Sequence, residues 1–164
     1  MQNQPRDPFI PGHLPLPKDF PVRLGDRISL GDADITALHA HPHFEFGYCH
    51  EGSGIVAAER RIFPFSKGDV TVFAPDEMHY SRSAKGTRST WSWVSVDLGP
   101  MFVAALPEPG LLDVSYVRHH EFDNLITPSR NEKIGHLLLN LIDFLRHPGP
   151  FHKTEVLSCI WLLL

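Results

Sequence analysis

Three residues, His39, His41 and Glu45, stand in the spacing His-x-His-x3-Glu with Gly52 beyond, and a fourth candidate, His79, lies further along the chain. Imidazole nitrogens and a carboxylate suit a first-row divalent ion, Zn, Ni, Fe or Mn, with positions left open for water or a ligand. A second reading needs no ion: the four groups hydrogen-bond one another, or an organic molecule, inside an apolar chamber. His39, His41 and Glu45 fall at odd positions, which an extended strand points to one face. His43 shares that face but follows Pro42, which disturbs strand geometry. Cys49 has the parity of Glu45 and either brings a thiol to the chamber or serves as a small buried hydrophobe. His50, His119 and His120 read as surface or loop histidines, and Glu59, Arg60, Arg61, Lys85 and Arg88 as solvated turn charges.

A set so spread along the chain converges only if strands carry it. Between residues 27 and 98, short β-like runs alternate with Gly, Pro, Asp and Ser, and no run is long enough for a substantial helix. The expected strands are 34–40, 43–50, 54–59, 70–74, 78–83 and 90–98, with one or two more from 22–30, a spacing that suits a sandwich or small barrel. In the last of these, Val94, Val96 and Leu98 share one face while Trp91, Trp93 and Ser95 share the other. One face packs between sheets and the other lines a cavity.

After Pro109 the period changes. Ser129-Arg-Asn-Glu132 reads as a capping box ahead of Ile134, Leu137, Leu138, Leu141 and Leu145, and the helix stops at Pro148-Gly149-Pro150. Leu139, Ile142 and Phe144 widen its apolar stripe beyond what one sheet needs, which calls for a second partner surface. A further helix is expected from about Phe151 through Val156, Leu157, Ile160 and Trp161. It runs into Leu164 with no cap, glycine or charge in its final turn, so the chain reads as cut from a longer protein. Upstream of Pro21, prolines recur among Phe9, Ile10, Leu14, Leu16 and Phe20. That excludes helix and leaves two readings, a disordered tail or an extended arm lying across something.

With 164 residues at 42% apolar, the chain fills one core. Its formal charge of −4, with no run of Lys or Arg, speaks against a nucleic-acid surface on this segment. Cys49 and Cys159 lie too far apart for a paired metal motif or a disulfide-dense scaffold and indicate a reducing cytoplasm. No stretch has the character of a signal peptide or of a bilayer span.

The His39-to-Gly52 stretch and the second stretch, Gly68-Asp-Val-Thr-Val-Phe-Ala-Pro75-Asp-Glu-Met-His79, together resemble the two signatures of the cupin superfamily. Two departures stand out: Ala33 replaces the glycine expected six positions before His39, and Pro75-Asp-Glu-Met-His79 lacks the glycine of the second signature. A cupin preceded by a proline-rich arm and followed by a helix pair resembles the regulatory half of AraC-type transcription factors. Glu51-Gly-Ser-Gly54, Gly68-Asp69, Asp76-Glu-Met-His79-Tyr80, Trp91-Ser-Trp93-Val and the run from Thr154 to Leu163 carry that likeness.

The resemblance implies a mainly β fold: a cupin-like double-stranded β-barrel (jelly roll) followed by two antiparallel α-helices. It divides the chain into an arm over 1–21, an effector-binding barrel over 22–108 and a helical dimerisation segment over 109–164, ahead of a helix-turn-helix domain that this sequence does not include. A small effector, a sugar or related metabolite, would stack on Trp93, with Trp91 undecided, and meet Tyr80, His79, His41 and Glu45. The metal, where present, would take His39, His41, Glu45 and His79. The partners implied are a second copy, through the C-terminal helices, and DNA only through the absent domain; no membrane and no enzymatic activity are expected. The alternative is a metal-dependent cupin enzyme, a dioxygenase or sugar isomerase. On the dimer reading, a charge at Leu141 or Leu157 is expected to yield monomers with the barrel intact.

Overall fold

The computed structural model describes residues 15–99, 115–118 and 122–164. The expectations for Phe9, Ile10, Leu14, His119 and His120 lie outside them. Among the described residues, eight strands form two sheets: β1 Val22–Leu30, β2 Phe44–Glu51, β3 Ser53–Ala58, β4 Arg61–Ser66, β5 Val70–Phe73, β6 His79–Ser83, β7 Ser89–Val96 and β8 Leu125–Ile126. The larger sheet runs β1-β7-β2-β5-β8 and the smaller β4-β3-β6. They face each other as a cupin-type sandwich, mainly β as expected. Two helices follow, α1 Pro128–Arg146 and α2 His152–Leu163, joined by a short turn that makes them antiparallel.

The larger sheet is buried on both faces because alternation writes a different set on each. Phe44, Phe46, Val70, Val72, Val94 and Val96 pack outward on Leu138, Leu141, Ile142, Val156 and Ile160 of the helices. Cys49, Phe73, Trp91 and Trp93 pack inward with Val56, Ala58 and Phe65 of the smaller sheet. The second surface called for by the broad stripe of α1 is α2. Leu141 is fully buried in this core and Leu157 packs against it. A charge at Leu141 would meet no solvent and no partner, at a cost of several kcal/mol. The expectation that it leaves the barrel intact is therefore corrected.

Three local expectations also change. Residues 34–40 form no strand; a single bridge joins His39 to His79. Arg61–Ser66, unforeseen because Pro64 interrupts it, is a strand at the sheet edge, where proline is tolerated. The capping box is not made. Thr127 is the N-cap and Pro128 opens α1, a position that suits its fixed φ, while Asn131 breaks the helix with φ −156° and ψ 89°. The end of the arm does dock: the Phe20 ring lies 5.9 Å from that of His152 and 5.5 Å beneath the Lys153 ammonium, at the helix turn.

His50 is buried, not a surface histidine, and its Nε2 lies 2.8 Å from the Ser92 hydroxyl. Burial first, then the Arg27 and Arg146 charges, lowers its pKa to about 4, against the weaker opposing pull of Asp26 and Glu51. Since the unfolded chain binds this proton near pH 6.5, the unfolded state carries more protons between those values. Stability is thus complete above pH 6.5 and falls as the pH drops toward 4, by up to about 1.4 kcal/mol per pH unit. Urea midpoints measured from pH 7.5 to 4.5 should decline in the wild type and less steeply in His50→Gln, which keeps a donor for Ser92; equal slopes would show that His50 is not the titrating group.

Candidate functional site

Glu45 projects from β2, the middle strand of the larger sheet, opposite Phe73 of β5 and Ser95 of β7. His79 opens β6 in the other sheet, and its ring stacks on Phe73 at 3.9 Å between centroids and 7° between planes. The bridge brings His39 to His79, with ring centroids 4.4 Å apart, and the Asp76 N–H donates to the His41 carbonyl at 2.8 Å, fixing the neighbouring turn. One ligand atom each from His39, His41 and His79 lies within 4.8 Å of the others. The four ligand candidates therefore converge, though a bridge and a turn, not strand alternation, place the first two.

Proton bookkeeping in the rings sets what they present. His41 Nδ1 donates to the His43 carbonyl at 3.0 Å, and His79 Nδ1 donates to the Glu77 carbonyl at 2.7 Å. A carbonyl can only accept, so each Nε2 is a bare lone pair when its ring is neutral. Both face Glu45: His41 Nε2 lies 3.1 Å from Oε2, and His79 Nε2 lies 3.5 Å from Oε1 without forming a hydrogen bond. Lone pairs facing a carboxylate demand a proton or a cation between them. Burial opposes charge on His41, but its bond to Glu45 prevails and raises its pKa. Burial likewise works against ionised Glu45, yet His41 and His79 together bring it down to about 2. Burial, then the His79 charge, lowers His39 to about 4, leaving it neutral at pH 7, with a buried Nδ1 that has no partner. Three imidazole donors, one carboxylate and backbone carbonyls behind two of the rings fit a divalent ion.

The other candidates separate. Trp93 lies on the inner face of the sheet, 7% exposed, with Trp91 stacked behind it at 5.5 Å and 6°. Trp91 is fully buried and donates to the Ser89 hydroxyl at 3.1 Å, so it is core. Tyr80 follows His79 on the opposite face of β6 and touches only the edge of the His39 ring, at 6.1 Å. It stands outside the cluster. His43 is buried and stacks on His41 at 4.4 Å. Cys49 is buried, burial pushes its thiol to about 12, and Sγ turns to the Glu51 carbonyl, which removes thiol chemistry. Arg61 is no solvated turn charge, since it donates to the Phe122 carbonyl and the Asn124 side chain.

Two contributors went unnamed in the sequence reading. Gly47 pairs with both Thr71 and Trp93, and a Cβ there would sit 2.3 Å from Thr71 Oγ1 and 2.7 Å from Trp93 Nε1, so only glycine lets the indole lie across the strand. Thr71 is fully buried on the chamber face and its hydroxyl has no partner. Its parity with Phe73 was the available signal. A cavity of about 200 Å³ lies on the other face of the sheet from the histidine cluster, where Tyr48 and Val70 meet Asn131 and Gly135.

A two-sheet sandwich with an inward histidine cluster defines a cupin-type small-molecule domain. The chain belongs to the family of the AraC-like ligand binding domain, whose model matches residues 27–159. Similar solved structures include a cupin protein from Bacteroides fragilis, 18% identical over 56% of this chain and 73% of that one, with a TM-score of 0.41. An oxalate decarboxylase mutant from Bacillus subtilis is 20% identical over 44% of this chain and 22% of its own, at 0.38. An RmlC-like cupin family protein from Methanocaldococcus jannaschii is 10% identical over 46% and 69%, at 0.41. No curated protein was found to match. No helix among the described residues is long and apolar enough to cross a membrane.

An unpaired buried hydroxyl costs about 1–3 kcal/mol, and an isosteric apolar replacement removes that cost. Thr71→Val should therefore raise the midpoint of thermal unfolding by a few degrees, on the order of 1 kcal/mol. A fall in the midpoint would show that the hydroxyl is already bonded within the fold.

Proposed function

We propose that this chain is the effector-sensing and dimerising part of an AraC-type transcription regulator, acting in the cytoplasm and binding without catalysis. A divalent ion, Zn, Ni, Fe or Mn, is held by His39, His41, Glu45 and His79, and a small effector lies beside it against Trp93. The observation that carries the chamber is the pair of Nε2 atoms aimed at Glu45 with their Nδ1 protons committed elsewhere. A bound ion supplies a Lewis-acidic anchor; the chain's own groups orient the guest. Trp93 covers an apolar or C–H face, and the Thr71 hydroxyl offers a hydrogen bond one side-chain row deeper. A sugar or related hydroxylated metabolite suits those two groups. Occupancy biases the arm and the helix pair only through unequal affinity for their arrangements.

The dimer face falls on α2 and its lead-in, where Phe151, Trp161 and Leu162 are exposed, in place of Leu141. Control of DNA passes to a separate helix-turn-helix domain. The same three-histidine, one-glutamate geometry favours a second reading, a metal-dependent cupin enzyme, in which the open coordination positions hold a substrate.

Metal analysis of protein purified without added ions, and again after dialysis against each of the four metals, tests the centre. About one ion per chain is expected in the wild type, with affinity at least about tenfold lower in His79→Ala and Glu45→Gln. Failure of all four metals to reach stoichiometric loading would remove the metal from the proposal, while steady oxygen uptake or sugar isomerisation by the loaded chain would hand the site to the enzyme reading. For the dimer, Leu162→Glu should halve the sedimentation mass with an unchanged circular dichroism spectrum; an unaltered mass rules out this face.

A further inference from the structure

Trp93 and Ser92 are neighbours on β7 that point to opposite sides of the larger sheet, the indole toward the smaller sheet and the hydroxyl toward the helices. Ser92 is fully buried, and its hydroxyl is saturated: it donates to Asp26 Oδ1 at 2.7 Å and accepts from the Arg27 N–H at 3.2 Å and from His50 Nε2 at 2.8 Å. Asp26 reaches it from a bulge in β1, where pairing with β7 slips between Gly25 and Ile28 and Arg27 adopts a left-handed φ of 52°. A non-glycine residue in that region costs about 1 kcal/mol or more, and bulges typically re-aim a side chain. Here the bulge turns Asp26 to face α1. Arg146, in the last turn of α1, grips Asp26 with two bonds, Nε to Oδ2 at 2.8 Å and Nη2 to Oδ1 at 2.5 Å.

We propose that Ser92, Asp26 and Arg146 form a relay that reports displacement of Trp93 in the chamber to the C-terminal turn of α1. A guest that shifts the indole shifts the peptide it shares with Ser92. Ser92 then drags or releases Asp26, and Asp26 carries the change to Arg146 and the helix turn. The competing route is packing of Val94 and Val96 on Leu138, Leu141 and Ile142, which is non-directional and spreads a small shift over many contacts. The hydrogen-bonded chain is directional and ends on a single guanidinium. Its biological trigger rests on the chamber being the effector site; the physical coupling does not.

The test therefore uses no ligand. Gly47→Ala places a methyl 2.7 Å from Trp93 Nε1 and forces the indole aside, and Trp93→Phe serves as the perturbation should that variant not fold. Amide hydrogen exchange of the α1 and α2 peptides is read in four backgrounds: wild type, Ser92→Ala, Asp26→Asn and Arg146→Gln. In the wild-type background the chamber substitution should change exchange in the last two turns of α1 by about fivefold, and in each relay variant by less than about twofold. Ser92→Ala is the decisive background, because it leaves the Asp26–Arg146 bonds in place and removes the one hydroxyl that ties Asp26, the Arg27 N–H and His50 to β7. The same fivefold change in Ser92→Ala, or no change in the wild-type background, overturns the relay. Coupling found in a chain that binds no metal or small molecule would leave the relay standing and sink the sensor reading instead.

Discussion

A backbone carbonyl can only accept a hydrogen bond, and that constraint organises the centre of this protein. It commits Nδ1 of His41 and of His79 to donation, turns both Nε2 atoms inward, and leaves Glu45 between them. The geometry depends on where two carbonyls sit, and the surrounding turn is correspondingly braced. Glu77, whose carbonyl orients His79, is held by its own carboxylate: Oε2 accepts from the Ala74 N–H at 2.9 Å and Oε1 from the Asn124 amide at 2.8 Å. Asn124 also donates to the Val72 carbonyl and accepts from Arg61. A surface-looking arginine thus supports, through Asn124 and Glu77, the ring that completes the cluster.

The same constraint fixes the electrical demand of the chamber. A buried carboxylate without compensation is costly, and removing one member of a buried charged set leaves the others exposed to that cost. Glu45 draws compensation from His41 when the ring holds a second proton, and an ion held by the same nitrogen would take that proton's place. Away from this row the inner face of the sheet is aromatic and neutral, with Trp93 and Phe73 packed toward the smaller sheet and Thr71 buried beside them.

Much of this was readable from the sequence, for reasons that differ by element. The alternation around Trp91 to Leu98 separated the two faces because a strand of period two has no other way to serve two layers, but neither face lines a cavity: the valines pack on the helices and the indoles between the sheets. The helix pair followed from period and proline stops. Convergence of His39, His41, Glu45 and His79 was legible from residue type and spacing, while the strand invoked to explain it was not formed; an isolated bridge does the work with far less regular structure. Pro64 hid β4 because an edge position, which makes proline harmless, is a property of the sheet and not of the segment. His50, Thr71 and the Asp26 bulge were invisible for the same reason. Their roles depend on partners 42, 24 and 120 positions away, for His50 with Ser92, Thr71 with Gly47, and Asp26 with Arg146, respectively.

The larger sheet is best understood as a partition whose strands belong to two compartments at once. β2 carries Glu45 and Gly47 inward and Phe46, Tyr48 and His50 outward; β7 carries Trp93 inward and Ser92 and Val94 outward. In a sheet with one solvated face, a change on the buried side can relax into water. Here both faces are covered, one by the smaller sheet and the other by the helices, so the displacement of an inward residue is passed in part to its outward neighbours. What distinguishes this sheet is that one of those neighbours, Ser92, is held by three hydrogen bonds rather than by methyl contacts. Methyl contacts slide, whereas a saturated hydroxyl breaks or holds. A domain built to keep its helices indifferent to its interior would place a valine at that position, and the hydroxyl found there makes the partition a point of transmission.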